Sequence, residues 1–334
     1  MVSLVPPQLY QAARRQAARI DRTARGRIVV SGADRATYLH GLLTNDIVAI
    51  TSGHGSYAAY LTAQGRMITD LYVYELGDLM LISLPLATKA TVMAKLEQFI
   101  FTEDVTLGDV TDTFAQMAIV GPGAAAALSA VLEGATLEAL TALVEHANVR
   151  VTFGGEPAIV TRVADAGEPG FDIYVERPRA AALVAALAAR GVVDLDEATA
   201  EAIRIEAGVP VFGPDMDAET IPLEAGIESR AISLTKGCYV GQEVIIRVLH
   251  RGHGRVARRL VGLIFDGDAP PVSGVEVRAG DREIGRVTSS TLSPALGRPI
   301  ALAYLQRDFL AVGTQVVVAG VPATVAALPF VASQ

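Results

Sequence analysis

Val30-Ser31-Gly32-Ala33-Asp34 and Val120-Gly121-Pro122-Gly123-Ala124 open the two halves of a repeat. In each, a short apolar run (Arg27–Val30, Gln116–Val120) reads as a strand, a glycine turns the chain, and a helix follows, to Leu43 in the first half and to Leu132 in the second. Glycine suits such a turn because, lacking Cβ, it adopts positive φ without strain, and Asp34 is placed to cap the first helix. Tyr57–Leu61, Arg66–Tyr74 and Leu79–Leu84 then read as strands, with Ala63-Gln64-Gly65 as a turn, followed by a helix at Thr88–Phe101 and a strand at Val105–Val110. The second half keeps that order, with strands near Val149–Phe153, Ala158–Val163 and Phe171–Val175 and a helix from Pro178 to Arg190. Gly32 and Gly121, and again Pro85 and Pro178, stand about ninety residues apart. The repeat lies in element order more than in identity. It predicts two related α/β-layered subdomains that face one site at their junction.

Outside the repeat, Pro6 and Pro7 can open a helix to Ile20. Glu197–Gly208 reads as a helix stopped by Gly208 and Pro210, and Val209–Leu223 as a Pro- and Gly-rich connection. From Val256 the texture changes to short β-rich runs, Leu260–Phe265, Glu276–Ala279, Gly285–Ser289, Ile300–Leu305 and Gln315–Val318, the pattern of a small barrel. The expected fold is α+β: subdomains at 1–112 and 113–250, then a C-terminal β-barrel at 251–334.

At 334 residues the chain can build several cores. Its net charge of −8 argues against a general affinity for nucleic acid, which wants a basic footprint. A single cysteine cannot form an intrachain disulfide, which suits the cytoplasm. Nor can it hold an iron–sulfur cluster alone, since clusters are held by several thiolates. Met1–Gln11 lacks the cationic and apolar regions of a signal peptide. Arg14, Arg15, Arg19, Arg22, Arg25 and Arg27 read as a solvated helix face, and no apolar run is long enough to span a bilayer.

The chemistry-bearing stretch is Lys236-Gly237-Cys238-Tyr239-Val240-Gly241-Gln242-Glu243. It holds the lone thiol, with a lysine two residues before it and Arg247, His250, Arg251, His253, Arg255, Arg258 and Arg259 just after. Neighbouring cations favour the reactive thiolate. The competing reading is a small buried hydrophobe.

This octet resembles the K-G-C-Y-x-G-Q-E signature of the YgfZ family, GcvT-like folate-binding proteins linked to iron–sulfur cluster assembly. The resemblance extends along the chain. Val30-Ser31-Gly32-Ala33-Asp34 and Leu43-Thr44-Asn45-Asp46-Ile47 are similar to the family's opening, and Gly65-Arg66-Met67-Ile68-Thr69-Asp70-Leu71 to its G-x-I-x-D-D-L strand. In glycine-cleavage aminomethyltransferases that strand carries an aspartate pair used in one-carbon transfer. Here Thr69 replaces the first member and Asp70 keeps the second, a departure that counts against transferase chemistry. Gly170-Phe171-Asp172-Ile173 resembles the G-[FY]-E-[IV] strand whose acid contacts a pterin, and Arg204-Ile205-Glu206-Ala207-Gly208 the R-[IL]-E-A-G helix end.

The resemblance implies tetrahydrofolate bound through Asp172, Asp70 and Arg204, with Asn45 and Tyr239 as further contacts, and Cys238, Lys236 and Asp70 as the reactive groups. Arg204 reads equally as a structural salt bridge, and Asp172 as an outward polar residue on a strand with Phe171 inward. The leading functional expectation is a tetrahydrofolate-binding accessory protein in iron–sulfur cluster assembly or repair, partnered by an iron–sulfur protein or an assembly factor. The alternatives are a tetrahydrofolate-dependent one-carbon (aminomethyl) transferase or demethylase, and a non-catalytic scaffold.

Two weaker patterns complete the reading. Gly121-Pro122-Gly123-Ala124-Ala125-Ala126 meets a loose dinucleotide fingerprint but lacks the acidic partner on a second parallel strand. His250-Arg251-Gly252-His253 lacks companion ligands for a metal, so the basic loop 247–259 is better read as an anion or RNA contact.

Overall fold

A computed structural model describes residues 5–250 and 255–332, with the side chain of His250 excepted. The strands, in chain order, are β1 (Ala18–Asp21), β2 (Gly26–Ser31), β3 (Gly55–Leu61), β4 (Met67–Glu75), β5 (Met80–Leu84) and β6 (Thr106–Asp109). They continue with β7 (Phe114–Val120), β8 (Asn148–Phe153), β9 (Glu156–Val163), β10 (Gly170–Glu176) and β11 (Val193–Asp194). The last group is β12 (Arg258–Phe265), β13 (Glu276–Ala279), β14 (Arg282–Ser293), β15 (Arg298–Gln306), β16 (Gln315–Val318) and β17 (Val321–Ala326). They build a sheet in the order β3-β4-β5-β2-β6, a second in the order β11-β1-β7-β10-β9-β8, and a closed barrel, β12-β15-β14-β13-β16-β17. The α/β-layered pair with a terminal barrel is the architecture expected from the sequence.

Gly32 and Gly121 do matching work in the two halves. Their φ values are +105° and +97°. A Cβ at Gly121 would lie 2.5 Å from the carbonyl oxygen of Ala13, and one at Gly32 would run into that of Asp104. A neighbouring backbone therefore crosses directly over each strand-to-helix turn.

The N-terminal helix ends at Arg15, short of the expected Ile20. The next residues become β1, which pairs antiparallel with β7 (Ala18 opposite Val120) and parallel with β11 (Ala18 opposite Val193). Available sheet partners override helix propensity here. Arg14 is correspondingly not solvated. It is buried and paired with Glu168 and Glu206. Strand β17 was also unexpected, because Pro322 within Val321–Ala326 argues against a strand from sequence alone.

Both N-terminal sheets are covered on two faces. In the first, Ile28, Val30, Val73 and Ile82 pack on the helices Arg35–Leu42 and Leu86–Glu97. In the second, Phe171, Ile173 and Val175 pack on Ala124–Ser129 and Ala180–Ala188. Strand alternation sends the intervening residues the other way. Tyr57, Tyr72, Tyr74 and Tyr174 thus form a shared core between the sheets, with Tyr74 and Tyr174 edge-on at 6.5 Å. The barrel is anchored by Ile205, which packs against Leu260, Ile300, Leu302 and Tyr304.

Candidate functional site

The inter-sheet layer opens into a cleft of about 120 Å³. Its polar wall is Arg25, Tyr57, Asp70, Tyr72, Asp165 and Arg230, and Val209–Phe212 with Ile227 and Pro85 supply an apolar rim.

Asp70 projects from β4, opposite Ala59 of β3. Tyr57 Oη donates to its Oδ2 at 2.8 Å, whereas Oδ1 is buried and accepts no hydrogen bond. A buried acceptor left in that state costs about 1–3 kcal/mol. Burial pushes the Asp70 pKa up, and Arg25 and the Tyr57 hydroxyl pull partly against it. Asp165, in the turn between β9 and β10, is held by a fork from Arg22, Nη2 to Oδ1 at 2.8 Å and Nη1 to Oδ2 at 3.1 Å. Burial would raise its pKa, but Arg22 and then Arg25 outweigh burial and set it at about 2. Arg230 lies over the Tyr57 ring at 5.3 Å and pairs with Glu145 at 3.1 Å. Arg25 lies over Tyr72 at 5.7 Å and donates Nε to Ser83 Oγ at 3.0 Å. The cleft thus offers one ionised carboxylate, one carboxylate with a raised pKa and a vacant acceptor, and two cations stacked on tyrosines.

Thr69 bears on the chemistry through its direction. It is fully buried, and its hydroxyl accepts from Thr88 on the helix Leu86–Glu97 at 2.9 Å. Adjacent strand residues face opposite sides, so position 69 points at the helical layer while Asp70 points at the cleft. An acid at 69 would not reach the cleft, and its replacement by threonine removes no cleft carboxylate.

The other residues singled out from sequence fall in several places. Asp172 faces the first sheet and is 2% exposed, not an outward strand residue. Its Oδ2 accepts from Gln116 Nε2 at 2.7 Å, its Oδ1 lies 3.1 Å from Arg22 Nη1, and it does not line the cleft.

Arg204 is a correction to the expected folate contact. Its Nε and Nη2 grip Glu201 at 2.9 and 2.6 Å, Nη1 serves Asp215 (2.7 Å) and the Val209 carbonyl (2.6 Å), and Nη2 also reaches Ser289 of the barrel at 3.0 Å. That exhausts a guanidinium's donors. Asn45 is likewise spent, donating Nδ2 to the Tyr57 and Arg230 carbonyls at 2.9 and 3.0 Å. It braces the cleft wall from behind.

Lys236 does not serve the thiol. Its ammonium donates to the carbonyls of His40 (2.5 Å), Leu43 (2.7 Å) and Asn45 (2.9 Å) at the C-terminal end of the helix Arg35–Leu42, and burial lowers its pKa to about 8. Tyr239 packs its ring under that ammonium at 5.1 Å. Cys238 is exposed and is not part of the cleft lining. Of the basic run, Arg251, His253 and the side chain of His250 lie outside the described residues, and among the described residues no His, Cys, Asp and Glu cluster suits a metal.

Sequence reading missed Tyr57, Tyr72, Asp165 and Arg230, and misplaced Arg22 and Arg25 on a solvated helix. Asp165 alone carried a signal, a single acid in the small-residue turn Ala164-Asp165-Ala166-Gly167.

Comparison with known proteins agrees with this geometry. The profile described as GCVT N-terminal domain matches residues 8–236, well over half of the chain. The chain belongs to the GCVT family. The profile of the Glycine cleavage T-protein C-terminal barrel domain matches residues 258–332, over the barrel strands. The aminomethyltransferase of Streptomyces coelicolor is 32% identical over 332 residues, covering 96% of this chain and 88% of that protein. The aminomethyltransferase of Rubrobacter xylanophilus is also 32% identical, over 96% of this chain and 85% of that one. In fold, this GCVT-family chain superposes on the crystal structure of glycine cleavage system aminomethyltransferase T from Bartonella henselae with a TM-score of 0.87 at 23% identity, over 100% of this chain and 92% of that one. These likenesses overturn the expected role as an iron–sulfur accessory protein, since near-full-length relatives are aminomethyltransferases. The narrower YgfZ reading of the octet gains no support from them. Among the described residues no helix is long and apolar enough to cross a membrane.

Proposed function

We propose that the protein is a tetrahydrofolate-dependent one-carbon transferase, acting on an aminomethyl group. The observation that carries this reading is Asp70, whose buried Oδ1 is a vacant hydrogen-bond acceptor on the cleft wall. A reduced pterin is rich in N–H donors, so this orphaned oxygen fits it. Asp70 would hold one of those donors, and Asp165, ionised beside it, would favour a cationic amine entering the cleft. When bound, tetrahydrofolate supplies the amine nitrogen that accepts the one-carbon unit.

The chain's own part is proton handling and exclusion of water. A carboxylate whose pKa is raised by burial is suited to take a proton from an ammonium near neutral pH. Pro210, Val211 and Phe212 line the cleft with apolar surface, which would limit water around a bound ligand. The near-full-length likeness to aminomethyltransferases supports the same reading. The inward turn of Thr69 removes the objection raised by the missing first aspartate.

The test is anaerobic calorimetry of tetrahydrofolate with wild type and Asp70→Asn, paired with mass-spectrometric detection of one-carbon-loaded folate after incubation with an aminomethyl donor. Binding and turnover in wild type, both strongly reduced in the variant, are expected. A folded wild type that binds no tetrahydrofolate overturns the proposal.

A further inference from the structure

A second cavity, of about 240 Å³, lies between the two sheets and shares no lining residue with the cleft. Its wall is mostly apolar, built by Val29, Leu81, Phe114, Ile159 and Tyr174, with Leu79 at the tip of the β4–β5 hairpin. The ion pair between Arg150 and Asp78 stands at its exposed end. Arg27 also lines it. Strand alternation explains why: Ile28 and Val30 face the helical layer, so Arg27 and Val29 face the second sheet.

Arg27 is an anomaly for a buried cation. It is 0% exposed, and among the described residues it forms no ion pair. Nη2 donates to the Thr111 carbonyl at 2.5 Å and the Thr23 carbonyl at 3.0 Å, while Nε and Nη1 are buried without any partner. Two carbonyl dipoles do not neutralise a guanidinium, and a buried charge without a counter-ion costs several kcal/mol. Buried charges in proteins are otherwise paired. Solvation by water alone fits poorly, because the surrounding wall is aliphatic and aromatic. The cavity exceeds the roughly 150 Å³ that accommodates benzene in an apolar pocket. Size, wall and orphaned donors together describe the complement of a small organic anion.

We propose that this cavity is a binding site for a small apolar carboxylate, with the carboxylate against the free nitrogens of Arg27 and the hydrocarbon body against Val29, Leu81, Phe114 and Ile159. The site is separate from the transfer cleft and does not depend on the folate reading. Because it lies between β2 of the first sheet and β9 and β10 of the second, an occupant would tie the halves together and stabilise the folded chain in proportion to its saturation.

The probes are sodium benzoate and its neutral isostere benzamide, titrated calorimetrically and in thermal unfolding against the full chain. Benzoate should bind once per chain and raise the unfolding midpoint, with benzamide weaker by about tenfold or more, the loss of a charge-assisted hydrogen bond. Arg27→Gln should abolish that preference for the anion. Leu79→Trp, which fills the cavity from the half-exposed hairpin and leaves Arg27 untouched, should weaken benzoate by a similar factor. If Arg27→Gln fails to fold, the benzoate-to-benzamide ratio and the Leu79→Trp result decide alone. No benzoate binding to wild type at about 10 mM, a range that would include even weak sites, overturns the proposal. So does equal binding of the two probes, or undiminished benzoate binding in Leu79→Trp.

Discussion

Asp70 on β4 and Asp172 on β10 are carboxylates on facing strands of the two sheets, and both have pKa values raised first by burial. They differ in what surrounds them. Asp172 accepts from Gln116 and Arg22 through Oδ2 and is ion-paired with Arg22 away from the cleft, although its Oδ1 too accepts no hydrogen bond. Asp70 has one tyrosine hydroxyl and a buried oxygen with nothing. A carboxylate ion-paired away from the cleft stabilises the fold. One left incomplete on a cavity wall is poised for a ligand. Family resemblance alone ranked Asp172 as the leading folate contact, whereas the function proposed above rests on Asp70, which lines the cleft and, among the described residues, has no ion pair.

The comparison makes opposite forecasts for stability and for function. The largest effect should come from Asp172→Ala, which leaves Arg22 with one buried carboxylate fewer. Urea unfolding should show a loss of about 2–3 kcal/mol, from the lost charge-assisted hydrogen bond and the unserved Gln116 amide, since Arg22 keeps Asp165. A loss below about 1 kcal/mol would mean that Asp172 is not part of the structural pairing. Asp70→Asn should lower one-carbon transfer by about a hundredfold or more, within the range for a removed acid–base group, while its unfolding free energy stays within about 1 kcal/mol of wild type. A stability loss as large as that of Asp172→Ala would erase the distinction between the two positions.

A smaller effect concerns acid. Asp165 titrates at about 2 in the folded protein, against about 3.9 when unfolded. Its folded pKa is depressed, so its contribution is present above pH 4 and is lost as pH falls through 2. Wild type should lose on the order of 2 kcal/mol over that window relative to Asp165→Asn, measured by denaturant unfolding at stepped pH. Parallel profiles for the two proteins would remove the Arg22 fork from the account. The smallest effect belongs to Cys238→Ser: an exposed thiol outside the cleft should change transfer and stability by less than about 0.5 kcal/mol. A loss of turnover there would return the thiol to the chemistry.

The layered pair and barrel were legible because strand and helix periodicity recurs at a near-constant offset, marked by Gly32 and Gly121. Asp70 was legible through its motif. The rest of the site was not, because Arg22, Arg25 and Asp165 come from turns between strands and Arg230 from the short helix Glu228–Ala231, and their convergence depends on how the sheets meet. Lys236 shows the limit of local reading. Two residues from the cysteine in sequence, it turns away to three backbone carbonyls, since an ammonium follows the nearest acceptors rather than the nearest motif partner.

Strand β1 carries a consequence for biosynthesis. It is made before any strand of the first sheet, yet it belongs to the second, between β7 and β11. Ala18 cannot meet Val193 until most of the N-terminal region has left the ribosome. A pairing so distant along the chain is slow to form, and until then β1 presents an open edge to other nascent chains. The two halves therefore cannot be separated by a cut between them. A fragment ending after β6 would carry β1 without its partners, and a fragment starting at β7 would expose the edge that β1 covers.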